Sequence, residues 1–406
     1  MKNKALQGIR IMEFGSFIAG PAAGMMLAGF GAEILKVEHP VRFDGGRYFA
    51  LGFGTKQPNP KFGDQFFDVS NLDKKSVVVD YSKPAGKEIL LSLAATCDVL
   101  LENMTPGTLE RNGLGYEDLK KVKPDIIYIS SSSCGQDGPE KNFRGYAGHF
   151  AAKCGLGHIT GYPGSPPSMF VGSVDFRSAS NSAIAILMSL LYRQKTGKGQ
   201  FIDLASQEAI GAQLGDVYLD YIINGREPQR MGNRRLGYCP NNAYKILGND
   251  EWISISCYDN EEFAALCKAM GKEELISDPR FVDFDDRKKH EDQLDAIIGE
   301  WTAGQQKSAV WKTLIKEGVP SAPYYNGKDV SEDRHNLMRG SFISIDHPQT
   351  DRDYIVNTPW RYATETPAEI KRHAPYLGEH TRQYLRELGK SDQEIDCLVQ
   401  EKVVLA

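Results

Sequence analysis

Asp175 stands at the head of the chain's most informative stretch, VGSVDFRSASNSAIAILMSLLYRQKTGKGQ over residues 171–200. The first turn after it is small and polar, with Ser178 and Ser180. The body from Ala183 to Leu191 is almost wholly aliphatic, and a Lys/Gly-rich turn closes it. That pattern predicts a long helix opened by one carboxylate. A helix start presents unpaired backbone N–H groups and the positive end of the macrodipole, so a carboxylate there is held ionised and fixed in direction. A carboxylate nucleophile needs both properties. The same residue also suits a plain N-cap, and nothing within the helix separates the two readings.

A second candidate is the turn Gly15-Ser16-Phe17-Ile18-Ala19-Gly20-Pro21. It falls between an apolar strand and a helix, a context in which backbone N–H groups cradle a phosphate or a carbonyl oxygen. The G-x-G-x-x-G spacing of a dinucleotide fold is absent, so the turn alone is weak evidence. Basic residues fall near several strand or loop ends: His39, Lys74, Lys75, Arg111 and Arg144. Singly these read as solvated surface charges; gathered on one edge they would suit a phosphorylated carrier. There is no G-x-x-x-x-G-K-[ST] phosphate loop, no G-x-S-x-G nucleophile elbow and no carboxylate pair at helical spacing. The run Ser131–Ser133 reads as a strand end rather than a catalytic serine. His149 and His158 flank a predicted helix at Tyr146–Gly155, and satisfied or exposed histidines are the better reading of both.

These residues need elements to hold them. Apolar strands are expected at Ile9–Phe14, Ala32–Val37, Ser76–Asp80, Asp98–Leu101, Ile126–Ser130 and Phe201–Leu204. Helices near Pro21–Gly29, Pro84–Ala95, Thr105–Asn112 and Tyr116–Val122 alternate with the strands, and a long one runs from Ser206 to about Ile223. Residues 40–66 have no clear period and read as a surface excursion. Alternation of this kind implies parallel pairing with helices on both faces, an open doubly wound, Rossmann-like α/β sheet. A polar linker at 224–242 leads to a hairpin, Ala243–Leu247 with Trp252–Ser256. Helices near Asn260–Met270, Arg287–Thr302 and Lys307–Glu317 complete a smaller α+β domain. The expected layout is a large domain beginning at 1–204, a long helix and linker at 205–242, the small domain at 243–325, and a return segment at 326–406. Two amphipathic helices near Glu379–Leu388 and Ser391–Glu401 close that segment.

Composition narrows the function class. The chain has 406 residues, is 41% hydrophobic and 25% charged, and carries a net charge of −5. That balance gives no global pull toward nucleic acid or anionic membrane. No apolar run approaches the ~20 residues of a membrane span, and the N-terminus lacks a signal-peptide pattern, so a cytoplasmic location is expected. Seven scattered cysteines without a C-x-x-C pair, and eight histidines without ligand spacing, indicate neither a disulfide framework nor a metal site.

Taken in order, several segments resemble the class III CoA-transferase family, which also contains the acyl-CoA racemases. They include GIRIMEF with FIAGPAAGMMLAGFGAEILKVE, NLDKKSVVVDYSKPAGKEIL, CDVLLENMTPGTLERNGLGYEDL, GQDGPEKN, and the stretch around Asp175. RMGNRR, DPRF, GVPSAP and APYLGEHTRQYLRELG follow, so the resemblance spans essentially the whole chain. It implies that Asp175 is the catalytic aspartate, forming first an acyl anhydride and then an aspartyl-CoA thioester. Coenzyme A enters as substrate and product, with no metal and no nucleotide cofactor. By the same resemblance CoA contacts Phe17, Ile18 and Ala19. His39, Lys75, Val79, Asn103, Met104, Thr108 and Arg111 surround its adenine and phosphates, and Arg144 and Tyr146 approach the carrier. The family's assembly implies an interlocked homodimer, with a heteromer of paralogues as the variant. The linkers near 205–242 and 325–360 fit such threading.

Two departures from the family pattern matter. Ile18 stands where some members have Gln, leaving backbone amides to serve an oxyanion, and Ala147 stands where many have an acid. A racemase adds a His-Asp pair at the positions of Tyr146 and Ala147. Neither residue moves a proton at neutral pH, since tyrosine titrates near ~10 and alanine not at all. Transferase is therefore favoured over racemase, and retention of Asp175 argues against a silent partner subunit. Phe150, Phe170, Tyr238 and Tyr258 suit a medium-sized acid: a 2-hydroxy, carnitine-like, aryl-substituted or substituted succinic acid rather than formate.

Overall fold

The computed structural model describes residues 4–52, 61, 65–170, 173–345, 354–360 and 369–406. Val171 and Gly172, parts of the 40–66 excursion, and parts of the return segment lie outside the described residues. The chain forms two units. One comprises residues 1–157, 169–226 and 337–406, and the other 158–168 and 227–336.

The first unit is built on a seven-stranded sheet. Its strands are β1 (Arg10–Phe14), β2 (Glu33–Glu38), β3 (Lys75–Val79), β4 (Val99–Glu102), β5 (Ile127–Ser132) and β6 (Phe201–Ala205), with Val404–Leu405 at one edge. From that edge the order runs Val404–Leu405, β3, β2, β1, β4, β5, β6. β1 to β6 are parallel, and the C-terminal strand is antiparallel to β3. The 3-2-1-4-5-6 order is that of a doubly wound nucleotide-binding sheet.

Alternation along the strands divides two cores. Met12, Phe14, Leu35, Val37, Val77 and Val79 face the helices Pro84–Ala94, Tyr116–Val122 and the C-terminal pair Thr381–Glu387 and Asp392–Gln400. Ile11, Ile34, Val99, Leu101, Ile127 and Ile129 face Ala22, Ala23 and Leu27 of helix Ala19–Gly29, and Ala179, Ala183 and Ile186 of the long helix Ser173–Thr196. Buried on both faces, these strands read as continuous apolar runs, as parallel sheets do.

Two charges interrupt those runs. Glu13 and Lys36 are both fully buried. The helix Ala19–Gly29 approaches Glu13 closely because residue 24 is glycine; a Cβ there would lie 2.0 Å from Glu13 Oε2.

Several expected helices are shorter. Thr105–Asn112 contracts to the single turn Thr108–Arg111, because Pro106 and the left-handed Gly107 (φ 77°) precede it. Ser206–Ile223 divides into Ser206–Gly211, a 3-10 turn at Ala212–Leu214, and Gly215–Asn224. Gly211 and Gly215 flank the break, where glycine weakens a helix. In the second unit, strands Asn241–Lys245, Trp252–Ser256 and Ser321–Pro323 form an antiparallel sheet. It packs with Asn260–Met270, Glu291–Ala303 and Lys307–Lys316 around Tyr244, Ile253, Phe263, Leu294 and Leu314. The segment predicted as one helix over Arg287–Thr302 divides at His290 into Phe284–Lys289 and Glu291–Ala303.

Candidate active site

The strand order reverses between β1 and β4, and in open α/β sheets the crevice beyond the carboxyl ends at that point takes the ligand. A cavity of about 380 Å3 opens there. Its walls are Ser16–Ala19 after β1, Asn103–Pro106 and Thr108 after β4, and Ser131–Ser133 at the end of β5. Phe143–Tyr146, Phe150, Asp175 and Ser206 complete it.

Asp175 lies in the first turn of the long helix, which begins at Ser173 rather than at the aspartate itself. Burial pushes its carboxyl up to about 6. The carboxylate has no hydrogen bond or ion pair among the described residues. The helix start draws it the other way, toward the charged form. At pH 7 a group titrating near 6 is roughly nine-tenths ionised, yet more basic than a free aspartate. An acid with that balance is available as an anion, with no salt bridge to break first.

The turn after β1 is clamped. Phe17 holds a left-handed backbone (φ 61°), a conformation that costs a non-glycine residue about 1–2 kcal/mol. Asp44 holds it there: Oδ1 accepts from Phe17 N–H at 2.8 Å, Gly46 N–H at 2.8 Å and the Ser16 hydroxyl at 3.1 Å. Asn103 Oδ1 accepts from Ser16 N–H at 2.8 Å while its amide donates to Ser16 O at 3.0 Å. Burial opposes ionisation of Asp44, but Lys36 at 2.8 Å and the two amides outweigh it and hold its pKa below the usual value. Residue 45 must be glycine, since a Cβ would lie 2.6 Å from the Phe17 ring.

Beneath the turn, Lys74 donates to Glu13 at 2.7 and 2.9 Å, to Pro21 O at 2.7 Å and to Asn71 Oδ1 at 3.0 Å. Lys36 reaches Gly15 O at 3.0 Å. Arg47 pairs with Glu38 through two bonds of 2.8 and 2.7 Å.

The structure gathers some expected contact residues and disperses others. Phe17, Ile18, Ala19, Asn103, Met104, Thr108, Arg144 and Tyr146 line the cavity with Asp175. Tyr146 stands edge-on to Phe17, ring centroids 5.7 Å apart. Arg144 is exposed, and its guanidinium has no partner among the described residues. Arg111 lies just outside, its guanidinium 3.3 Å from the Thr108 hydroxyl.

His39 is buried after β2. One ring nitrogen lies 3.0 Å from Asp80, and the other accepts from the N–H groups of Val41 and Arg42. Burial lowers its pKa, so it orders the loop as a neutral ring and supplies no cation. It borders a smaller cavity of about 90 Å3 with Arg42, Tyr81 and Met104. Both cavities share Ser16 and Met104.

Lys74, Lys75 and Val79 depart from expectation. Lys74 is spent inside on Glu13, and Val79 is wholly within the core. Lys75 opens β3, so it lies at the amino end of a parallel sheet while the cavity lies beyond the carboxyl ends. Arg42 and Tyr81 occupy the carboxyl edge instead. They follow β2 and β3, and strand direction was the signal available for them. His149 is a helix cap: its Nδ1 accepts from Tyr146 N–H at 3.2 Å. Among the described residues no cluster of three or more His, Cys, Asp or Glu could hold a metal, and no helix is long and apolar enough to cross a membrane.

A family model described as CoA-transferase family III matches residues 6–381. The chain is 32% identical over 403 residues to a succinyl-CoA–D-citramalate CoA-transferase of Chloroflexus aurantiacus, covering 99% of this chain and 98% of that protein. It is 34% identical over 392 residues to a succinyl-CoA:glutarate CoA-transferase of Mus musculus, covering 96% and 88%. A CaiB/BaiF family protein from Brucella suis superposes with a TM-score of 0.86 at 30% identity, over 95% of this chain and 100% of that one.

Proposed function

The chain belongs to CoA-transferase family III, and we propose that it moves CoA from succinyl-CoA or a similar donor to a short dicarboxylic acid through Asp175. The observation that carries this reading is an unpaired, half-buried carboxylate on the wall of the switch-point cavity. The carboxylate attacks the thioester carbonyl carbon, the C–S bond breaks, and CoA leaves as thiolate from a mixed anhydride. The thiolate then attacks the Asp175 carbonyl, giving an aspartyl-CoA thioester and the free donor acid. An acceptor carboxylate reverses both steps, so each bond broken is replaced by one of like energy. Coenzyme A supplies the thiol; the chain supplies the carboxylate, its orientation and a wall against water.

The relatives named above act on citramalate and glutarate, both dicarboxylic acids. Such substrates, and the phosphates of CoA, need a cation, and Arg144 is the free one on the cavity wall among the described residues. Arg144→Gln is expected to raise KM for acyl-CoA or diacid about tenfold with little change in kcat, as loss of one charge-assisted contact does. Unchanged KM for both substrates would remove Arg144 from the binding site. Phe17, Ile18, Ala19, Met104 and Thr108 remain the proposed CoA contacts. Lys75 and Val79 are not carried forward. Tyr146 and Ala147 offer no base for racemisation.

Ile184, Met188 and Leu191 form an exposed apolar stripe on the long helix, 59%, 61% and 52% accessible. A second copy is the proposed occupant, in keeping with the expected homodimer. The test of the reading is incubation with succinyl-CoA alone, digestion, and mass spectrometry of the Asp175 peptide. A CoA adduct is expected there, discharged by malate, glutarate or citramalate. Transfer without the adduct would overturn the covalent route, and no discharge by any diacid would overturn the substrate class.

A further inference from the structure

We propose that the Ser131 hydroxyl, with Ser132 beside it, is the donor that receives the charge developing on the acyl oxygen when Asp175 attacks. This rests on the transferase reading above. Ser131 and Ser132 are 3% and 5% exposed, both hydroxyls lack a hydrogen-bond partner among the described residues, and both residues line the Asp175 cavity. A buried hydroxyl left unpaired costs about 1–3 kcal/mol, so an unpaired one on a residue that lines a cavity calls for a partner that arrives with the ligand.

Topology aims Ser131 at the right place. Side chains alternate along a strand, so Ser131 shares the face of Ile127 and Ile129, which packs on Ala179, Ala183 and Ile186 of the long helix. That helix is the crossover between parallel β5 and β6 and runs back against them. The carboxyl end of β5 therefore meets the helix start, where Asp175 sits.

Three other donors on the wall are already committed. Ser16 N–H is held by Asn103, Phe17 N–H by Asp44, and the Thr108 hydroxyl by Thr105 O at 2.6 Å. Ile18 stands where a polar side chain would otherwise help, so the free first-turn amides of helix Ala19–Gly29 have no side-chain companion on their own element. Ser131 supplies it from across the cavity.

The step is an electron-pair shift with no proton transferred. An Asp175 oxygen bonds to the carbonyl carbon, and the carbonyl oxygen takes the displaced pair while accepting the Ser131 O–H bond. Collapse returns that pair, breaks C–S and sends the charge to the CoA thiolate.

The experiment compares wild type, Ser131→Ala, Ser131→Thr and Ser132→Ala by single-turnover formation of the Asp175–CoA adduct from succinyl-CoA, with melting temperature followed alongside. Ser131→Ala is expected to slow adduct formation about 100-fold with KM for acyl-CoA unchanged and a melting temperature no lower than wild type, the rate loss being typical of one oxyanion donor. Threonine, which keeps the hydroxyl, is expected to restore most of the rate, and Ser132→Ala to lose less than Ser131→Ala. An alanine rate within about threefold of wild type, or a threonine variant as slow as alanine, would overturn the assignment. The two readings fail separately: absence of an adduct in wild type removes the covalent mechanism, whereas a normal adduct rate in Ser131→Ala removes only this donor.

Discussion

Asp175→Ala and Asp175→Asn are expected to reduce CoA transfer about 10,000-fold or more, the scale of losing a covalent nucleophile. No other acid lines the cavity among the described residues, so no neighbouring carboxylate can take over the attack. KM for acyl-CoA should change little, because the carboxylate makes its bond in the transition state rather than in the bound ground state. Steady-state transfer from succinyl-CoA to a diacid checks the rate, and residual activity within about a hundredfold of wild type would remove Asp175 from the chemistry.

The same substitution carries an opposite prediction for stability. Burial raises the Asp175 pKa from 3.8 to about 6. Below the unfolded value both states are protonated and the carboxyl has no ionisation penalty. Between about 4 and 6 the unfolded chain releases its proton while the folded one retains it, so wild-type stability falls as pH rises. Above about 6 the loss is complete, on the order of 3 kcal/mol. Asp175→Asn should therefore melt higher than wild type at pH 8, and the advantage should shrink toward pH 4. Activity moves the other way: transfer falls as pH drops through about 6, because the protonated acid is not a nucleophile. Equal melting of wild type and variant at both pH values would show that the carboxylate is not desolvated in solution.

The elements around this residue were legible because each rests on local pattern. IRIMEF, EILKVE and SVVVD are apolar runs punctuated by Gly, Pro and Asp, and their alternation with helices requires a parallel, doubly wound sheet. Asp175 was legible from its place at the head of an apolar helix, although its role came from the ordered family segments and not from the helix. Lys75 shows the opposite case. Its charge suited a phosphate, yet it opens its strand, and in a parallel sheet that places it at the amino edge, away from the switch-point cavity. Asp44 was hidden in an aperiodic loop, FDGGR, and its contacts with Phe17 and Lys36 cross 27 and 8 residues. No local period encodes such a contact. Glu13 and Lys36 did leave a signal, a charge in the middle of each of two strands buried on both faces. Parallel strands place residues of opposite charge within reach only if they share a face, and the pairing of Glu13 with Lys36 fixes that.

Lys74→Met is expected to destabilise the protein by about 3–5 kcal/mol, a large share of a domain's stability. Lys74 is wholly buried, and burial lowers its pKa to about 7 against the pull of Glu13. Removing it leaves Glu13 with Lys36 at 3.4 Å, in a place closed to bulk solvent. Chemical denaturation measures the loss, and a change below about 1 kcal/mol would show that the site admits water. Substituting both partners, Glu13→Leu with Lys74→Met, should recover most of the stability, because a buried pair replaced by apolar groups leaves no orphan charge. Activity should not recover with it. Lys74 also holds Pro21 O, and Lys36 holds Gly15 O while pairing with Asp44, so the network spans the turn that carries Phe17, Ile18 and Ala19. Without it the left-handed Phe17 loses part of its anchorage, and KM for acyl-CoA should rise even in a double variant that melts like wild type. A fully active double variant would mean that the buried charges serve folding alone. A stable but weakly binding one would mean that they keep the turn after β1 in its strained shape.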